Sequence, residues 1–311
     1  MARIAVVGSL NADLLVRVAR HPRPGETLHG SGGEIAPGGK GANQALAAAL
    51  LGGDVAMVGA VGDDAHADPT TALHRDAGVD LGGLRVVPGA TGLAIVAVAD
   101  SGENTIVVIP GANGTVDAAA GEAAADTIAG AAIVVLQGEI PRDGIERAAA
   151  LTTGLLVLNL APVLELSRWV LEAADPLVVN EHEAALALDQ LGLPAAGDAE
   201  AAARALLGAG VRSVVVTLGA DGALVADGDG VAHVPSPTVR VVDTTGAGDA
   251  FVGALAFRLS QGERLREAAA FAARVGAFAC TGHGAQPSYP RATDELPPIS
   301  EHEHDLPAGG A

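Results

Sequence analysis

The run Val242-Asp243-Thr244-Thr245-Gly246-Ala247-Gly248-Asp249 places a carboxylate directly behind two glycines, and it continues into Ala250-Phe251-Val252-Gly253-Ala254-Leu255-Ala256-Phe257. Phe251, Leu255 and Leu259 recur at helical spacing. The pattern predicts a glycine turn opening a buried helix, with Asp249 in its first turn. Amides of a first helical turn lack partners within the helix and carry partial positive charge, so such a turn can hold an anion. The same dipole favours a carboxylate at that position. Gly246 and Gly248 omit the side chains that would keep a backbone away from a ligand. A carboxylate beside an anion hole can orient and deprotonate a hydroxyl while the amides hold the phosphoryl group it attacks. A helix start with an acidic first turn and no ligand has the same pattern, and this stretch alone supports both readings.

A second set of residues suits hydrogen bonding to hydroxyls. Asn11 and Asp13 follow the short apolar run at 4–8, and ligands of open α/β sheets collect at the carboxyl ends of such strands. Pro37-Gly38-Gly39-Lys40-Gly41-Ala42-Asn43-Gln44 leads into an Ala/Leu helix at 45–51. It fails the phosphate-loop pattern, because no glycine stands five residues before Gly39 and Gly41 takes the Ser/Thr place. What remains is a glycine turn that presents Lys40 and Asn43 at a helix start, good partners for a polyhydroxylated ligand. Glu139, Asn159, Asn180 and Glu183 also lie just past strand ends. His302 and His304 alternate with acids near the end of the chain; a metal site is one reading, and a solvated tail is the better one.

The elements that must position these residues follow from periodicity. Continuous apolar runs at 4–8, 54–62, 133–136, 155–158, 177–179 and 211–218 read as strands buried on both faces. Helices are expected at 65–77, 142–150, 163–174 and 265–280, and weaker strands at 223–226 and 231–234. This alternation implies right-handed βαβ units and a parallel sheet with helices on both faces. Residues 93–99 and 105–109 flank Asp100-Ser101-Gly102-Glu103, a hairpin signal. Those strands and the one at 14–18 are apolar on both faces, which predicts a small lid sheet whose outer face a partner subunit covers. An irregular loop is expected at 281–288, and a frayed acidic tail from about Thr293.

The chain of 311 residues is 49% hydrophobic with 2% aromatic residues, so Ala, Val and Leu must fill its core. A formal charge of −19 argues against nucleic acid and membrane surfaces as partners. Small anions then need local positive potential from amides, a lysine or a metal. The single Cys280 excludes an internal disulfide and fits a reducing compartment; its plainest reading is a small buried residue on an Ala-rich helix. No signal peptide and no apolar run of membrane-spanning length is visible. A cytoplasmic protein is expected.

Together these residues resemble the ribokinase-like (pfkB) carbohydrate kinases over nearly the whole chain. The resemblance rests on GGKGANQA at 38–45 and DTTGAGDAF at 243–251, with Asn11, Asp13, Glu139 and GAQPS at 284–288. It implies a three-layer α/β fold over residues 1–294, with a mostly parallel central sheet and a small β-sheet lid built from segments near 12–37 and 90–112, and an acidic tail at 295–311. The implied activity is ATP-dependent phosphorylation of D-ribose at its 5-hydroxyl. Alternatives are 2-deoxyribose, another sugar or a nucleoside as acceptor, and a sensing protein on the same fold. Asn11, Asp13, Gly39, Lys40, Asn43 and Glu139 match the positions that hold sugar hydroxyls. Asp249 matches the catalytic base, and Gly246, Ala247 and Gly248 the anion hole. Asn180 and Glu183 match a motif that organises magnesium through water, and Thr217, Gly219 and Gly222, with Gly248, the nucleotide loop. Asp243, Thr245, Ala279, Gly282, Gly284 and Ser288 match positions that bind potassium, unless the loop closes on itself through hydrogen bonds. The resemblance also implies a homodimer joined through the lid strands. Asp68 stands where relatives return to glycine, and His283 where they are often basic.

Overall fold

The computed structural model describes residues 2–101 and 103–299. Strands β1 (Ile4–Val7), β2 (Asn11–Val18) and β3 (Ser31–Gly38) lead to helix α1 (Lys40–Leu50). Then come β4 (Val55–Gly62), α2 (Ala67–Asp76), β5 (Asp80–Val87), β6 (Gly92–Ala99) and β7 (Asn104–Ile109). Two short helices, α3 (Ala118–Ala123) and α4 (Ala125–Ala129), precede the regular alternation of β8 (Ile133–Gln137), α5 (Arg142–Leu151), β9 (Leu155–Asn159), α6 (Arg168–Ala173) and β10 (Leu177–Asn180). The chain continues through α7 (Glu181–Gln190), α8 (Ala199–Gly208), β11 (Val214–Thr217), β12 (Ala223–Asp227) and β13 (Gly230–Val234). It closes with α9 (Ala247–Ser260) and α10 (Leu265–Ala279).

The central sheet has nine strands in the order β13-β12-β11-β10-β9-β8-β1-β4-β5. Its pairings from β5 to β11 are parallel, and only the two at the β12–β13 edge are antiparallel. Every residue of β1 and β4 is buried, as a parallel sheet covered on both faces requires. One apolar cluster joins the sheet to α1, α9 and α10; another packs α3 to α8 on the opposite face. Small side chains let α1 and α9 come unusually close. A Cβ on Gly253 would stand 2.5 Å from the Gln44 carbonyl oxygen, so only glycine permits this approach. That contact brings the start of α9 against the start of α1.

The second sheet is the lid, in the order β3-β2-β6-β7. It leaves the central sheet where β1 runs into β2. Asn11 pairs with Gly38 on one side and Gly92 on the other, so both polar residues of early β2 stay over the carboxyl ends of the central strands.

Several elements differ from the sequence reading. β3, β5, α3, α4, α7 and α8 were not individually expected. The helix expected at 163–174 is confined to Arg168–Ala173, and residues 163–167 form an irregular link ahead of it. The strand expected at 211–218 is the shorter β11. The tail does not fray at 293. Leu296 is buried, and Arg274 donates from Nε and Nη2 to the carbonyls of Pro297 and Leu296, both at 2.9 Å. Residues 300–311, with His302 and His304, lie outside the described residues. Cys280 is half-buried rather than buried, and its carbonyl accepts from the Val242 and Asp243 amides.

Candidate active site

The parallel register lines the polar residues up along one edge of the sheet. β1 ends at Val7 with Gly8 and Ser9 beyond it, β8 at Gln137 with Glu139 beyond it, and β9 at Asn159. β10 ends at Asn180, which stands beside Thr217 of β11. Over these ends lie the starts of α1 and α9.

Asp249 is buried in the first turn of α9 and is gripped on both oxygens by α1. Asn43 Nδ2 donates to Oδ2 and Gln44 Nε2 to Oδ1, each at 2.9 Å. Gly246 caps the helix with φ of 73°, and a Cβ there would meet Ala285 at 2.5 Å and the Tyr289 hydroxyl at 2.6 Å. The Tyr289 hydroxyl donates to the Gly246 carbonyl at 3.0 Å. Burial, with the charges of Asp249 and Asp13, pushes that phenol well above its ordinary range. Among the described residues the N–H groups of Gly248 and Asp249 have no backbone partner, and Gly248 is exposed with open space where a Cβ would go. The Ala247 N–H differs from expectation. It is taken by the Thr244 carbonyl at 3.2 Å, because the chain folds into a tight turn just before the helix.

The sugar-type residues converge beside Asp249. Glu139 Oε2 accepts from the Lys40 amide at 3.0 Å and from Ser9 Oγ at 2.5 Å. Asn11 is buried and its Oδ1 accepts from Asn113 Nδ2 at 2.7 Å. Asp13 lies against Gly38, whose missing side chain leaves room for the carboxyl, and its Oδ1 is enclosed without a partner. Burial, then the charges of Glu139 and Asp249, raise the Asp13 carboxyl to about 7. The Asp249 charge, opposed by burial and helped by Glu139 and Glu183, holds the Lys40 ammonium above its ordinary value. Gly39, with φ of 90°, brings its backbone against Leu10 and Asn11.

Farther along the edge, Asn180 and Glu183 form a capping box: each side chain accepts the other's amide at 2.8 Å. Gly219 opens a 3-10 turn facing empty space. Gly222 instead is required by β13, since a Cβ there would stand 2.0 Å from the Val234 carbonyl. Among the described residues no three acidic, His or Cys side chains gather around a metal-sized point.

Behind α9, Asp243 accepts from the Thr245 amide and hydroxyl at 2.9 and 2.6 Å and from the Gly284 amide at 2.9 Å. Burial acts to raise this carboxyl, but those bonds and nearby His283 hold it below its ordinary value. Ser288 Oγ shares its proton between the Gly284 and Ala285 carbonyls, at 2.8 and 2.7 Å, so the loop closes on itself there. Gly282 packs on Ser288, and its amide reaches the Ala279 carbonyl at 3.4 Å. The six residues matched to a cation site are thus contiguous, with a fixed negative charge on one side.

Gln44, Gln137, Asn113, Gln286 and Tyr289 were not singled out from sequence. Gln44 could have been, since it directly follows Asn43 in the glycine stretch.

With this geometry in view, the pfkB family carbohydrate kinase model matches residues 1–292. The chain belongs to the pfkB family of carbohydrate kinases. This pfkB kinase is 39% identical to a ribokinase of Schizosaccharomyces pombe, over 93% of its own length and 95% of the relative's. It is 37% identical to a deoxyribokinase of Salmonella typhi, over 92% and 95% of the two chains. It superimposes on the Arabidopsis thaliana ribokinase complexed with ribose and ATP with a TM-score of 0.84 at 32% identity, covering 94% of this chain and 96% of that one.

Proposed function

We propose that this pfkB kinase transfers the γ-phosphoryl group of ATP to the 5-hydroxyl of D-ribose. The observation that carries the reading is a buried carboxylate, Asp249, held on both oxygens beside the unpartnered amides that open α9. Asn11, Asp13, Gly39, Lys40, Asn43 and Glu139 hold the sugar. A ring of groups that must each pair with a hydroxyl rejects analogues lacking one. Asp249 orients the 5-hydroxyl and draws off its proton, while the Gly248 and Asp249 amides stabilise charge on the transferred group. Gly246 and Ala247 set the shape of that turn. Positioning and charge stabilisation are most of what phosphoryl transfer requires.

Asn180, Thr217, Gly219, Gly222 and Gly248 line the nucleotide's place. The capping box leaves Glu183 Oε1 without a role in the cap, which suits a magnesium ion that keeps much of its water and rides on the phosphates. Bound magnesium neutralises charge on the phosphates. Potassium is assigned to Asp243, Thr245, Ala279, Gly282, Gly284 and Ser288, where an ionised carboxylate and carbonyls can replace its hydration shell. The Ser288 hydroxyl must then give up the Gly284 carbonyl. Ile35 and Ile106 to Ile109 are exposed on the lid, so a homodimer through the lid strands covers them. No described helix is long and apolar enough to cross a membrane, and the cytoplasm is the proposed site of action.

A second reading, 2-deoxyribose as acceptor, draws on the similarity to a deoxyribokinase. ADP release measured with ribose, 2-deoxyribose, fructose and adenosine separates them. Ribose is expected to give the highest kcat/KM. A higher value for 2-deoxyribose favours the second reading, and comparable turnover of fructose or adenosine refutes both.

A further inference from the structure

Behind the proposed base lies a chain of amides that runs away from the sugar and into the sheet. Gln44 and Gln137 are fully buried, and Asn159 nearly so. Asn159 Nδ2 donates to the Val178 carbonyl at 3.1 Å, which leaves its Oδ1 facing Gln44. Gln44 Nε2 donates to that Oδ1 at 2.9 Å, and Gln44 Oε1 accepts from Gln137 Nε2 at 2.7 Å. Asn159, anchored on the Val178 carbonyl, and Asp249 admit one orientation of the Gln44 amide, with its nitrogen toward Asp249, and Gln137 supplies a donor to the remaining Gln44 oxygen. A flipped amide would set oxygen against oxygen at both Asn159 and Asp249, an uncompensated burial of polar groups. The backbone makes room for the chain. A Cβ on Gly8 would stand 2.0 Å from Gln137 Oε1, so glycine at the end of β1 lets Gln137 lie where it does.

Asn43 holds the other oxygen of Asp249 differently. Its Oδ1 accepts from Gln286 Nε2 at 3.0 Å, and the residue sits among the groups assigned above to the sugar. Gln44 points to the sheet side and has no such second duty. We propose that Gln44, locked by Gln137 and Asn159, is the positioning residue of the base: it occupies Asp249 Oδ1 permanently and so makes Oδ2 the atom that receives the sugar proton. This rests on the reading of Asp249 as the base. Lys40 from α1, Asp13 from β2 and Tyr289 beyond the last 3-10 turn are the other titratable groups around the carboxylate.

The test compares Gln44→Met, Gln44→Glu and Asp249→Asn by kcat, ribose KM, the pH dependence of kcat and thermal melting. Gln44→Met should lower kcat about 10- to 100-fold with ribose KM within about threefold of the parent. The acid limb of its kcat profile should move to higher pH, because losing a donor disfavours an ionised carboxylate. Gln44→Glu should move that limb farther, since two adjacent carboxyls hold a shared proton. A folded Gln44→Met with kcat within twofold and an unmoved limb, beside an inactive Asp249→Asn, overturns the proposal and leaves the base reading intact. An Asp249→Asn enzyme within a few-fold of the parent overturns the base reading itself. A loss confined to KM also counts against the proposal. If Gln44→Met does not fold, the near-isosteric Gln44→Glu decides. If neither folds, Gln137→Met decides by the same readouts, with a loss of about 3- to 10-fold in kcat expected.

Discussion

Two glycine-led helix starts face each other across this site, and they handle their free amides in opposite ways. At α1 all four are taken. The Lys40 amide goes to Glu139, Gly41 and Ala42 to Ser9, and Asn43 to the Gly39 carbonyl. At α9 the Ala247 amide goes to Thr244 and that of Ala250 to Gly246, while those of Gly248 and Asp249 remain open among the described residues. A helix start whose amides are already satisfied by a carboxylate, a serine and a carbonyl has no anion-binding capacity left; its dipole favours Glu139 there instead. In the proposed reading the same structural unit serves as a scaffold for sugar ligands at α1 and as the phosphoryl seat at α9. The Gly-Gly-Lys sequence at α1 therefore does not act as a phosphate loop.

The sharpest way to break this contrast is a matched pair of glycine substitutions. A Cβ on Gly41 would stand 2.6 Å from the Ser9 amide nitrogen, whereas one on Gly248 meets nothing within 4 Å. Gly248→Ala should melt no lower than the parent, since alanine gains up to about 1 kcal/mol in a helix. Its kcat/KM for ATP should nonetheless fall about 10²-fold, as the methyl group keeps phosphate from the amides. Gly41→Ala should instead be destabilised by about 1–3 kcal/mol through overpacking, read in chemical denaturation. Equal behaviour of the two variants would erase the distinction between the helix starts.

The α1 side also carries the pH response. Asp13 titrates near about 7 rather than at its ordinary 3.8, so the unliganded site keeps it neutral at lower pH. Sugar hydroxyls donate more strongly to a carboxylate than to a carboxylic acid. Ribose affinity should therefore fall as pH drops below about 7, approaching tenfold per unit, and level off above it. The unliganded protein has the opposite trend. The unfolded chain has already lost this proton above 3.8, so stability declines as pH rises from there to about 7, by roughly 4 kcal/mol from this group. Calorimetric ribose titrations from pH 5.5 to 8 check the first slope, and both slopes should flatten in Asp13→Asn.

The smallest effect belongs to the brace on α9. Tyr289→Phe removes the hydroxyl bond to the Gly246 carbonyl but leaves that carbonyl its bond from Ala250. Steady-state kinetics should show kcat reduced about 3- to 10-fold with ribose KM unchanged. No change in kcat would mean the turn keeps its shape without Tyr289.

Much of this was legible in the sequence because it depends on local rules. Gly246, Gly248 and Asp249 announce a helix start, and the buried runs of β1, β4 and β8 announce a parallel sheet. β3 was hidden because Ser31-Gly32-Gly33-Glu34 has no alternation; its pairing with β2 is what makes it a strand. α7 was hidden behind its own cap. Asn180 and Glu183 drew notice as a metal motif, yet the same two side chains close the helix start on each other. The amide chain through Gln44, Gln137 and Asn159 joins residues up to 115 positions apart, so no local pattern marks it. Leu296 and Arg274 meet only in the folded chain, and their contact turned an expected loose tail into a docked one.

The contrast between the two helix starts can be read directly from backbone amides. Protein labelled with 15N-glycine is titrated with ribose, MgADP and aluminium fluoride, which together imitate the transferring phosphoryl group. Gly248→Ala and Gly41→Ala spectra identify the two signals. The Gly248 amide should shift strongly on forming the complex, as a free N–H gains a charged acceptor, and the Gly41 amide should stay close to its starting position. A large shift at Gly41 with Gly248 unmoved would place the phosphoryl group at the wrong helix and contradict this account.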